Sequence, residues 1–172
     1  ACVVLTARTV LQGLSASNVD TVSVGTGPAI QLTKSASYPG NILPGKTRID
    51  FSVTATNIGA PDALPSATLV TGAGASTITV NGRPMPLVLV RDPVPVGTQY
   101  VPGSLNSASA GAMRLFRYAG DAPFAYRTIE DASAIEVAIG LPGALVRNGA
   151  SAMTFAVLVN PEQTGTILNT AF

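Results

Sequence analysis

The ten residues Arg48–Asn57, RIDFSVTATN, decide the fold class of this 172-residue chain. Ile49, Phe51, Val53 and Ala55 alternate with Arg48, Asp50, Ser52 and Thr54. A period of two belongs to a strand with one buried and one wet face, whereas a helix repeats every ~3.6 residues. β-Branched and aromatic residues fill the stretch, and neither glycine nor proline interrupts it.

The same period returns on the C-terminal side. AIEVAIG (134–140) carries it at Ile135, Val137 and Ile139. SAMTFAVLVN (151–160) carries it at Met153, Phe155, Val157 and Val159, and its second face is also apolar, which predicts a central strand. Turn signals separate these runs: YPGNILPGK, NIGAPDALP, VNGRP, LPGALVRNG and NPEQTG. Asn81-Gly82 is the strongest of them, because both residues tolerate the positive φ of a type I′ hairpin. In LVRDPVPVGTQYVPGSL (89–105) a strand runs to Asp92, prolines set φ through the turn without needing N–H partners, and Gly97 allows the reversal. The next strand carries Tyr100. No segment has a convincing helical period, and AGAMRLFRYAGDA reads as a strand from its Phe116/Tyr118 alternation. Short strands at regular spacing between Gly/Pro turns predict an all-β sandwich or barrel.

Composition narrows the function. Hydrophobic residues make up 47% of the chain and charged residues 11%, against about 25% charged in a typical soluble domain. Such a surface suits a molecule packed against neighbours or lying outside the cell. The ten basic residues are scattered and the net charge is +1, so no basic patch for nucleic acid is expected. There is no histidine and one cysteine, Cys2. Zinc sites, His-based triads and thiol–imidazole pairs are therefore not expected, nor is a cofactor. Cys2 reads as a partly buried free thiol, with a lipidated N-terminal cysteine of a longer precursor as the alternative. No apolar run reaches the ~20 residues of a membrane-spanning helix.

The first 27 residues read as a strand extension, with strand-like pieces at 3–12 and 19–24 ahead of a Gly-Thr-Gly-Pro break. They are too short for a core of their own, so their apolar side chains must pair with something. Residues 28–172 form the main domain, interrupted by an insertion at about 66–90 that begins SATLVTGAGASTITVNGRPMPL. Its hairpin either adds strands at a sheet edge or caps the sandwich.

IQLTKSAS, PGKTRIDFSVTATNIG, VRDPVPVGTQYVPGSL and GTILNTAF, in that order, resemble a repeat family of prokaryotic cell-surface proteins, domain of unknown function eleven (DUF11). The resemblance covers roughly residues 29–172. It implies an Ig-like antiparallel β-sandwich, an extracellular or cell-surface location, a structural rather than enzymatic role, and modules often set in tandem. Two departures stand out, the insertion and a tail cut short after Asn-Thr-Ala. In tandem members a Ser-Asn-x-Val-x-Val strand precedes the next module, and here SNVDTVSV (17–24) stands before the only complete one. The N-terminus thus resembles the end of a preceding module, and the C-terminus lacks that part.

A sandwich without its last strand exposes an apolar groove and an unpaired edge. The N-terminal extension can supply the strand, with Val4, Leu5, Val10, Leu11, Val19, Val22 and Val24 as the apolar residues of a donor. Passed from copy to copy, head to tail, such a strand builds a filament, because the contact does not close. The same segment folded back on its own domain gives a self-completed module. A fragment of a longer tandem chain is a third arrangement. The expected partners follow: copies of this chain for a filament, or protein and glycan ligands for a repeat within an adhesin or stalk.

Register marks one group of polar residues. Ile30, Leu32 and Lys34 share the apolar face of AIQLTK; Val88, Val90 and Asp92 share one in LVLVRD; Ile167, Asn169 and Ala171 share one in TILNTA. A lysine, an acid and an asparagine are thus all set inward. Burial favours the neutral form of both ionisable groups, and a neutral amine beside an amide polarised by a protonated acid can form an isopeptide bond. The arrangement resembles that of some Gram-positive surface Ig-like modules. Structural roles compete with this reading: Lys34 reaching to water, Asp92 capping the Pro93 turn, and Asn169 holding backbone groups.

Other polar residues carry less. Asp50 falls on a wet face, and Glu130-Asp131 reads as a loop charge, since adjacent carboxylates do not converge as a glycosidase pair does. Gly25-Thr-Gly27 and Gly72-Ala-Gly74 have no following helix to cradle phosphate. Phe116, Tyr118, Phe124 and Tyr126 suit cross-strand packing more than sugar stacking.

Overall fold

The structure, a computed structural model, describes residues 5–8, 18–20, 27–71 and 74–172. It is all-β, with no helix among the described residues. Two N-terminal strands, β1 (Leu5–Arg8) and β2 (Asn18–Asp20), precede β3 (Ile30–Ser37) and β4 (Arg48–Asn57). The insertion forms β5 (Thr68–Thr71), β6 (Gly74–Thr77), β7 (Thr79–Val80) and β8 (Arg83–Pro84). Then come β9 (Val88–Pro93), β10 (Thr98–Tyr100), β11 (Asn106–Ser107), β12 (Met113–Arg117) and β13 (Ala125–Tyr126). The chain ends in β14 (Glu136–Leu141), β15 (Ala150–Val159) and β16 (Leu168–Ala171).

One sheet has the order β10–β15–β4–β3–β2, and β11 also pairs with β15. The second contains β12–β14–β9. Arg91 and Phe172 exchange both main-chain hydrogen bonds, at 3.0 and 2.9 Å, which is the pattern of directly opposed antiparallel residues. That pair seats β16 beside β9, and β1 then pairs antiparallel with β16. Both layers contribute to one core: Ile49, Phe51, Val53, Phe155 and Val157 from the first, Val90, Val137 and Ile139 from the second. Phe51 and Phe155 are opposed across β4 and β15, with ring centroids 5.2 Å apart. Each residue predicted inward in RIDFSVTATN is buried, and β15 is central.

The insertion closes a second, smaller core on the far side of β14, which is buried on both faces. Ile78, Val80 and Leu87 pack there against Leu115, Tyr126 and Ala138. The β7–β8 hairpin turns at Asn81 and Gly82 with φ of 50° and 79°, the signs a type I′ turn needs, and β7 pairs in parallel with β13. Gly140 admits this layer. A Cβ there would lie 2.7 Å from Leu87 Cδ1 and 3.0 Å from Leu115 Cδ1, inside normal contact distance. The hairpin therefore caps a face and does not lengthen an edge of the main sheets.

Two details depart from the alternation pattern. Ile135 lies just before β14 and is 37% exposed. β9 runs one residue past Asp92, to Pro93. In the turn that follows, Gly97 has φ +81°, and any Cβ would collide with the Gln163 side chain. At the N-terminus, β1 and β2 fall within or beside the two strand-like pieces. Val4, Val10, Leu11, Val22, Val24 and Cys2 lie outside the described residues.

Candidate functional site

β3, β9 and β16 carry the three inward polar residues, and each is enclosed. Lys34 sits between the buried Leu32 and Ala36 on the inner face of β3 and is 0% exposed; Asp92 is likewise 0% and Asn169 4% exposed. Lys34 Nζ donates to Asp92 Oδ2 across the layers and lies 5.2 Å from the centroid of the Phe51 ring, a cation–π placement. So the lysine does not reach water.

Asn169 lies on β16, the strand beside that of Asp92. With Arg91 opposite Phe172, the antiparallel ladder sets Ala171 opposite Asp92, and Asn169 follows two residues along the same inner face. Diagonal neighbours of this kind lie about 7–8 Å apart at the backbone, within reach of long side chains. Among the described residues, neither Oδ1 nor Nδ2 of Asn169 has a hydrogen-bond partner, and neither does Asp92 Oδ1. Asp92 thus does not cap the Pro93 turn, and Asn169 does not hold backbone. An amide buried without partners costs about 1–3 kcal/mol, and a buried ion pair returns little net stability. Neither is explained by packing.

Burial pushes the Lys34 amine down to about 8, against the pull of the neighbouring Asp92 charge. The same loss of water pushes Asp92 up to about 7, offset in part by Lys34. Proton transfer from amine to acid is therefore far easier here than in water. A nucleophile, a proton carrier and an amide are thus all buried on the inner faces of the two layers.

The N-terminal strands flank it on both layers. Ala7 of β1 is opposite Asn169, and Asn18 of β2 is opposite Lys34. Of the apolar donor candidates, Leu5 pairs with Ala171 and Val19 with Thr33.

The remaining sequence candidates have structural partners. Asp50 binds Arg48 at the surface, at 2.8 Å. Glu130 accepts the Tyr100 hydroxyl and, at 2.7 Å, the Gly103 N–H, which fastens the turn after β10. Burial and then this bond raise the Tyr100 phenol to about 12. Asp131 caps Ser133 N at 2.8 Å. Phe116 and Tyr126 are buried, while the guanidinium groups of Arg91 and Arg127 lie over Phe124 and Tyr118 at 4.9 and 5.6 Å. Among the described residues, no three His, Cys, Asp or Glu side chains group as a metal site.

Sequence reasoning missed Glu136. It is 1% exposed in the second core and accepts from Arg91 and Arg117, each at 3.1 Å, and from the Tyr126 hydroxyl at 2.5 Å. Burial, then the Glu136 charge, hold the Tyr126 phenol well above its usual range. The clue lies in Glu136, Ala138 and Gly140 sharing one face: its two small residues leave room for a covering layer.

Compared with known proteins, the chain matches no family model, no curated protein and no solved structure.

Proposed function

We propose that this chain is a structural subunit of an extracellular filament or surface layer, built on an Ig-like sandwich of the DUF11 type. Its copies join head to tail when the N-terminal segment of one completes the sandwich of the next. One observation carries this reading: β1 covers the outer side of β16 in the second sheet, and β2 covers the outer side of β3 in the first. Both contacts are main-chain ladders on sheet edges. A ladder of this kind forms equally well between chains, because it reads backbone and alternate side chains rather than connectivity. The contact is heterologous, so its repetition extends without closing.

Negative-stain electron microscopy of the purified chain tests the proposal. Long fibres are expected, lost on deletion of residues 1–24 and absent when a peptide of those residues saturates the acceptor edge. A chain that remains monomeric at high concentration refutes assembly.

The pairing of β1 and β2 within one chain favours a second reading, a self-completed repeat of a larger adhesin or stalk with protein or glycan ligands. In that case backbone amides of residues 5–8 and 18–20 are protected from hydrogen exchange in a strictly monomeric sample.

A further inference from the structure

The geometry points to Lys34, Asp92 and Asn169 as a self-modification site in which an isopeptide bond joins Lys34 Nζ to Asn169 Cγ and Asp92 carries the protons. Three observations converge on it. The lysine is fully enclosed and bound to an acid. The asparagine amide is buried with no partner among the described residues, on the strand beside that acid. The second oxygen of the acid is also unpartnered among the described residues, which leaves it available to the amide. A structural ion pair accounts for the first observation alone.

The chemistry balances without any co-reactant. Transfer of one proton along the Lys34–Asp92 hydrogen bond converts ammonium and carboxylate into amine and carboxylic acid, a step eased by the opposed shifts that burial imposes on the two groups. The amine lone pair attacks Asn169 Cγ while the acid donates its proton to Oδ1. Asp92, again a carboxylate, takes a proton from Nζ and passes it to Nδ2. The Cγ–Nδ2 bond then breaks with its electron pair on nitrogen, and ammonia leaves. The Oδ1 proton returns to Asp92 as the carbonyl re-forms. One C–N bond is made and one is broken, nothing is oxidised or reduced, and Asp92 ends protonated beside the new amide. Holding the reacting groups together in a dry space supplies the effective concentration that an amine and an amide in water lack.

Intact mass of the full-length chain in denaturant decides the matter, and reads the same in monomer or fibre, so it is independent of the assembly proposal. The expected mass is one ammonia below that of the sequence. A tryptic digest should join residues 9–46 to residues 148–172, with no cleavage after Lys34. Lys34→Ala and Asn169→Ala should show no loss beyond the substitution itself, and Asp92→Ala should retain the ammonia. A wild-type chain at full sequence mass overturns the inference. So does loss of one water in place of ammonia, since that makes Asp92 the bonded partner.

Discussion

Asn169→Ala separates a covalent role from a packing role by the sign of its effect. A bond between residues 34 and 169 closes a loop of roughly 135 residues, and the chain-entropy relation assigns such a cross-link about 5 kcal/mol of stabilisation. In a domain of this size each kcal/mol moves Tm by about 2–4 °C, so the variant should melt about 10–20 °C below the parent. Without the bond the balance reverses. The wild-type amide is enclosed with its donor and acceptor unpaired among the described residues, and its removal relieves about 1–3 kcal/mol. The small void left behind costs a comparable amount, so Tm should stay level or rise. Differential scanning calorimetry of both proteins at one pH, with the mass of each sample recorded, gives the answer. A variant that melts at or above its parent refutes the cross-link argument, whatever the fibres look like.

Three further predictions concern the buried ion pair and the second core. In Asn169→Ala the Lys34–Asp92 pair stays ionisable. Asp92 is raised from 3.8 to about 7, so the folded chain holds that proton more tightly, and stability should fall as pH rises from about 4 to 7. Lys34 is lowered from 10.5 to about 8, so the unfolded chain holds its proton more tightly, and stability should climb from about pH 8 to 10.5. Tm of the variant should therefore be lowest between pH 7 and 8, and a maximum there contradicts the assignment. Glu136→Ala removes the acceptor of Arg91, Arg117 and Tyr126 and should cost about 3 kcal/mol in urea unfolding; a loss under 1 kcal/mol would mean the two largely buried arginines, 23% and 21% exposed, simply turn to water. Gly140→Ala drives a methyl into Leu87 and Leu115 and should cost about 1–3 kcal/mol, with loosened packing around Tyr126 visible in the near-ultraviolet circular dichroism.

The strands were legible because their signal is local. Alternation in RIDFSVTATN fixes which side chains face inward whatever lies opposite, and it placed Ile49, Phe51, Val53 and Ala55 correctly. The same logic set Lys34, Asp92 and Asn169 inward, since parity along a strand needs no knowledge of its neighbours. What parity cannot give is adjacency. That β16 lies beside β9 follows from a pairing between residues 91 and 172, and that Lys34 reaches Asp92 follows from the apposition of two layers. Glu136 escaped notice for the same reason. Its face reads as wet until the insertion, far earlier in the chain, is known to fold over it. Local pattern fixes orientation, and long-range pairing fixes company.

The position of the cluster ties the two proposals together physically. Without β1 and β2, β3 and β16 become edge strands, one in each layer, on the side of the sandwich that the N-terminal segment closes. Two such edges are held together only by the side chains between them, and solvent entering there would spread the layers. A covalent bond from Lys34 to Asn169 joins those two strands from inside. It fixes the spacing of the acceptor edge before any strand arrives, so an incoming segment orders itself on a preformed template and loses less free energy in doing so. It also shortens the path of a pull along a filament. Force that reaches a subunit through its N-terminal segment enters the domain at β3, and force that leaves through a neighbour's segment departs from the two acceptor edges, β3 and β16. With the bond in place tension passes from one to the other through a single side-chain bridge, and the sheets between residues 35 and 168 bear almost none of it. Under load in an atomic-force experiment the bonded domain should therefore release its partner strand without extending, whereas Asn169→Ala should unfold along its whole length.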